Sequence, residues 1–130
     1  MQFIVAQIKW IMLASGVLTC TMIYAAIAPD AALRGTFGET LQGPLAEIVV
    51  RNWAVLITLV GAMLIYGAFN AAVRPLVLMV AGVSKLVFIV LVLAYGGRYL
   101  GQQAGIAIAL DAVWVTLFAL YLVATRTRAA

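Results

Sequence analysis

Residues 76–95 read LVLMVAGVSKLVFIVLVLAY, twenty positions in which Lys85 is the one charge. An α-helix needs about 20 apolar residues to cross the hydrocarbon core of a bilayer. The run lacks the dyad alternation of a barrel strand, and a backbone in lipid must satisfy its own hydrogen bonds. Arg74-Pro75 precedes it and Gly96-Gly97-Arg98 follows it, punctuation on which helices start and stop. Three more runs of the same kind surround it, at about 3–28, 54–73 and 106–124. The links at 74–75 and 96–105 are short, and short links make neighbouring helices antiparallel. The fold expected is therefore all-α: an integral membrane antiparallel four-helix bundle. It forms a single transmembrane domain over 1–130, with an outer capping loop over 29–53.

Composition leads to the same class. Of 130 residues, 67% are hydrophobic and 9% charged, with a mean hydropathy of +1.18. A soluble domain carries roughly 25% charged residues, so this chain cannot clothe a water-facing surface. There is no histidine and a single cysteine, Cys20. Ser-His-Asp and Cys-His catalysis, histidine metal sites, disulfides and paired-thiol redox chemistry all lack their parts. The eight Lys and Arg residues stand singly, so nothing tracks a phosphate backbone. No catalytic residue, metal site or cofactor motif is expected.

The first run ends in Ala26-Ile27-Ala28, which imitates a signal-peptidase site. Pro29 follows directly, and the run exceeds the roughly 7–15 residues of a signal core, so it reads as a true helix. With both termini cytoplasmic, Lys9, Arg74, Arg126 and Arg128 lie inside and Arg34, Arg51 and Arg98 outside. That excess sets the expected orientation. Trp10 and Trp53 suit the interfacial aromatic belt.

Charges inside the apolar runs carry the functional information. Lys85 is central to the third helix and Asp111 lies in the fourth; a central charge costs about 2.5–3.5 kcal/mol on insertion scales. In an antiparallel hairpin Lys85 lies about 15 Å and Asp111 about 9 Å below the outer end, a difference that a lysine side chain spans. The pair is either a clasp that fixes helix register or the heart of a ligand or proton site. Trp114, three residues after Asp111, would wall such a pocket, and Tyr66 would point into it. Tyr66 belongs to the stripe Thr58, Ala62, Tyr66, Asn70; Ser15 and Thr19, then Gly16, Cys20 and Tyr24, repeat at the same step on the first helix. These stripes serve helix packing or line a polar interior. Glu47 and Arg51 stand four apart before the second helix, a structural ion pair on a segment amphipathic enough to extend that helix outward.

The organisation resembles the DoxX-like group of small four-helix membrane proteins. The resemblance rests on the first helix ending at Ala28-Pro29, the long polar loop, Arg51 before Gly61-Ala-Met-Leu-Ile-Tyr-Gly67, the Arg74-Pro75 turn and Ala81-Gly82-Val-Ser-Lys85. It implies a bacterial inner-membrane protein. The function expected is non-catalytic: an accessory subunit beside larger integral subunits, or a holder of a hydrophobic small molecule such as a quinone, isoprenoid or lipid. The alternative is a proton- or ion-coupled transporter working as a homo-oligomer through Asp111 and Lys85.

Overall fold

The computed structural model describes residues 2–129, with side chains through Arg126; the side chain of Arg128 lies outside this set. Six α-helices follow one another: α1 (Gln2–Cys20), α2 (Ile23–Ile27), α3 (Pro29–Phe37), α4 (Pro44–Phe69), α5 (Arg74–Tyr95) and α6 (Gln103–Ala129). A single 3-10 turn, Gly97–Tyr99, separates α5 from α6, and no strand occurs among the described residues. Four helical spans, 2–27, 44–69, 74–95 and 103–126, are long and apolar enough to cross a membrane.

The boundaries differ from the sequence expectation in ways that local chemistry explains. The first span is not one helix. At Thr21 and Met22 the amides bond three residues back, to the Leu18 and Thr19 carbonyls, and the Thr21 hydroxyl takes the Leu18 carbonyl as well. Such local hydroxyl bonds compete with the helical ladder. The capping loop contains α3, opened by Pro29 in its first turn and closed by Gly38 at φ 79, where a side chain is disfavoured. Gly43 at φ 98 then turns the chain into Pro44, so α4 begins well before residue 54. At 26 residues α4 is about 39 Å long, more than the roughly 30 Å hydrocarbon thickness. It stops at Phe69 because Asn70 is extended, and the Asn70 carboxamide oxygen accepts the Ala72 amide.

The interior is narrow. Ile8 and Met12 of α1, Leu64 and Ala68 of α4, Val77, Leu78 and Ala81 of α5, and Phe118 and Tyr121 of α6 form one buried cluster. Toward the cap, α1 and α4 approach backbone to backbone. A Cβ on Gly61 would lie 2.8 Å from both the Gly16 carbonyl oxygen and Cys20 Sγ. Small residues are what allow such closeness in lipid, where dispersion contact rather than the hydrophobic effect holds helices together. Successive contacts run Met12 to Gly67, Gly16 to Gly61 and Cys20 Sγ to the Thr58 carbonyl. The outward positions are large and apolar on α5, among them Leu76, Met79, Val83, Leu86, Val90 and Leu93.

The glycine contact makes a clear expectation. Gly61→Ala forces α1 and α4 apart and costs about 1–3 kcal/mol, as overpacking does. Gly82→Ala, with open space at its Cβ position, leaves stability unchanged or raised by up to about 1 kcal/mol. Thermal unfolding of both variants in one detergent measures the difference.

Candidate functional site

Lys85 projects from the middle of α5 into the interior, where its side chain is 10% exposed. Its Nζ donates to Asp111 Oδ1 of α6 at 2.9 Å and to Thr19 Oγ1 of α1 at 3.3 Å. Thr19 Oγ1 in turn donates to the Ser15 carbonyl at 2.7 Å, one turn back on its own helix. One ammonium thus ties three helices together. Asp111 is 18% exposed and remains accessible from the flank of α6. Beside the chain of bonds, Ser15 Oγ is the buried side-chain polar atom that finds no protein partner among the described residues.

The structure gathers only part of the residues singled out by sequence. Lys85 and Asp111 meet. Trp114, one turn along α6 from Asp111, is half-buried and packs against the apolar cluster. Tyr66 is elsewhere. It is three residues from the end of α4 while Lys85 is eleven past the start of α5, which separates them by about 12 Å along the axis. Tyr66 is also 59% exposed and accepts a hydrogen bond from Asn70 Nδ2. Tyr24 and Ala62 are exposed as well, so the stripe on α4 does not line an interior. The close approach at Gly61 and the buried Leu64, Gly67 and Ala68 decide which face of α4 turns inward. Thr19 as the second Lys85 acceptor was not singled out from sequence; its step of four from Ser15 was the one available signal.

Neither of two concavities on the surface includes Lys85 or Asp111. One, of about 520 Å³, lies between α3 and the start of α4, with Asp30, Arg34 and Glu47 on its wall. The other is an open apolar hollow of about 290 Å³ formed by Ala112, Val113, Thr116 and Leu117 on α6. No group of three or more metal-ligating side chains comes together among the described residues.

The cap carries its own electrostatics. Arg98 Nη2 donates to Glu39 Oε1 at 2.5 Å, the Tyr99 hydroxyl donates to the same oxygen, and the Phe37 ring meets Tyr99 edge-on at 5.3 Å. These contacts dock the end of α3 on the turn after α5. A hydrogen bond with Tyr99 and then the charge of Glu39 raise the Arg98 pKa above its ordinary value. Glu47 and Arg51 form the expected i,i+4 pair at 3.8 Å, and Arg51 also donates to the Ala26 carbonyl, joining α4 to α2. Asp30 pairs with Arg34 at 3.0 Å. Its carboxyl is held below the ordinary range, chiefly by a hydrogen bond from Thr40, which outweighs the opposing effect of burial, with a lesser contribution from the charge and hydrogen bond of Arg34.

No protein-family model, curated protein or solved structure matches this chain, so the DoxX-like resemblance rests on its short motifs alone.

Two expectations follow from this geometry. Lys85→Met or Asp111→Asn alone strands a desolvated partner and destabilises by about 3 kcal/mol, whereas the double variant recovers much of the loss. A destabilisation of the double variant equal to the sum of the two single ones in detergent unfolding would exclude coupling. For Asp30 the folded pKa is depressed, so the unfolded chain binds more protons in that window. The stabilisation it gives is complete above the unfolded value of about 3.9 and is lost as pH falls through the folded value. Carboxyl NMR titration finds that midpoint below the free-aspartate value, and Thr40→Val moves it upward.

Proposed function

We propose that this chain is a non-catalytic integral membrane protein, an accessory subunit that packs against larger integral subunits through α6. In this reading the four spans form an antiparallel bundle in a bacterial inner membrane, with both termini cytoplasmic. The observation that carries it is a contrast between two outward faces. The outward face of α5 bears large aliphatic side chains, as lipid-facing helices do. That of α6 bears Ile106, Leu110, Val113 and Val123 too, but among them Ala109, Ala112, Thr116 and Ala119 form an exposed stripe of small residues at steps of three and four, with the shallow hollow at Ala112–Leu117 in its midst. Small residues on one stripe let another helix approach closely, and lipid gives no reason for them. Only 6% of the most apolar window of α6 is buried within the chain, against 22–28% for the other three spans.

The interior supports this reading better than the others. Lys85 and Asp111 neutralise each other, and Thr19 takes a further donor of the ammonium. A clasp of this kind fixes register. Retention of a quinone, isoprenoid or lipid at that level, or proton-coupled transport through the pair, would need the ammonium or the carboxylate to meet a solute, whereas the two are already bonded to each other, and the ammonium to Thr19 as well.

Gentle affinity purification from native membranes, with mass spectrometry of proteins and small molecules, tests the proposal. Larger integral proteins are expected to co-elute at fixed stoichiometry. Ala112→Leu with Thr116→Leu is expected to release them, while Val83→Leu on α5 retains them. Elution alone with one enriched hydrophobic compound would replace the subunit reading with that of a carrier.

A further inference from the structure

The charges of this chain are sorted by position. Asp30 pairs with Arg34, Glu39 with Arg98, Glu47 with Arg51 and Asp111 with Lys85. These are all four acids of the sequence, and they occupy four of its eight bases. The remaining bases are Lys9, Arg74, Arg126 and Arg128, all of them at the end of the spans opposite the cap. Among the described residues at this end, no cation has a carboxylate partner.

Two of these cations flank the last turn of α4. Lys9 Nζ lies 4.8 Å from the centre of the Phe69 ring and 5.4 Å from that of Trp10. Arg74 donates Nε to the Gly67 carbonyl at 3.0 Å and Nη2 to the Ala68 carbonyl at 2.9 Å, which fixes the guanidinium and leaves its other N–H groups over. Trp10 and Phe69 share the Lys9 ammonium, and they and Tyr66, one turn back from Phe69 on α4, are 59–66% exposed. Because Tyr66 Oη accepts from Asn70, its own proton is free to donate.

We infer that this patch seats the phosphate of an anionic phospholipid in the leaflet at the end where the chain begins and ends. The inference rests on the membrane-spanning reading above. Lys9 supplies the positive charge, which aromatic faces attract but do not neutralise. The Tyr66 hydroxyl offers a donor to a phosphate oxygen. Trp10 and Phe69 lie against the glycerol and upper acyl region, the depth at which aromatic belts sit. An acidic protein segment would need the cations but not the exposed rings, and the rings decide between the two. Juxtamembrane Lys and Arg attract anionic headgroups by an amount that corresponds to about a fivefold change in affinity per charge.

The experiment is lipid titration of the full chain in detergent, read by native mass spectrometry, with phosphatidylglycerol and phosphatidylcholine of identical acyl chains. Phosphatidylglycerol is expected to bind the more tightly. Lys9→Gln should weaken it about fivefold without changing phosphatidylcholine, Lys9→Arg should retain the preference, and Arg34→Gln at the cap should leave it intact. Equal affinity for the two lipids, or no effect of Lys9→Gln in a folded variant, would overturn the inference. So would full competition by inorganic phosphate, which marks a free-anion site, or tighter binding of a polyglutamate peptide, which marks an acidic protein partner. Alkaline carbonate extraction separates the two claims. A chain released from membranes fails the membrane reading itself, whereas a retained chain without lipid preference fails this inference alone.

Discussion

An ammonium group placed halfway along an apolar helix has to meet its counter-charge inside the chain, and that requirement orders α1, α5 and α6. Lys85 satisfies it with Asp111 at 2.9 Å and adds Thr19 at 3.3 Å. The alternatives are poor. Snorkelling to either end of α5 means crossing about 15 Å of helix, more than a lysine stem covers, and an unpaired charge pays the full cost of desolvation. Once the bond is made, α6 can rotate or slide very little against α5. Helix α6 needs such a tether, because so little of its surface is buried within the chain. The close contact of Gly16 with Gly61 does the corresponding work for α1 and α4. A directional polar bond and a close backbone approach therefore hold the two sides of the molecule, joined by the apolar cluster around Met12, Leu64, Leu78 and Phe118.

What the sequence made legible was what hydropathy and axial rise encode. Runs of about 20 apolar residues leave a chain one structural solution in lipid, so the number of long helices followed directly. The meeting of Lys85 with Asp111 was also legible, since rise per residue and the reach of a lysine fix depth to within a turn. Rotation about each helix axis was not. The second span is apolar on every side, so nothing in its hydropathy says whether Tyr66 or Gly61 turns inward. The choice is made by a partner helix, where Gly16 and Cys20 accept only a glycine opposite. The break at Thr21-Met22 was hidden for a similar reason, as both residues are tolerated in helices and only the local hydroxyl bond disrupts the ladder. Contacts such as Arg98 with Glu39, 59 residues apart, depend on where α3 lands and cannot be read from spacing.

The two ends of the molecule solve different electrostatic problems. At the cap each arginine has a carboxylate beside it, and α3 is locked to the turn after α5 by Arg98, Glu39, Tyr99 and Phe37. The paired charges there cancel locally, so they position segments without projecting a field. At the opposite end Lys9 faces aromatic rings and Arg74 helix carbonyls. Arg74 completes the C-terminal turn of α4, where the helix dipole favours a positive charge. The +4 net charge of the chain is thus concentrated at one pole rather than spread over it.

This layout bears on where a function can reside. In the reading proposed above, an interior whose polar groups are largely spent on one another gives a retained or passing solute few groups to hold it. The flank of α6 differs. Its outward stripe is sterically open, so another helix can approach to the distance at which dispersion and weak C–H···O contacts act. Asp111, at 18% exposure, sits at the margin of that stripe, one residue before Ala112. A helix packed there would remove the last water or lipid contact of the carboxylate and strengthen its attraction to Lys85, because a pair of charges interacts more strongly as the local dielectric falls. A partner bound at α6, as proposed, would therefore also tighten the clasp that the chain already makes between Lys85 and Asp111.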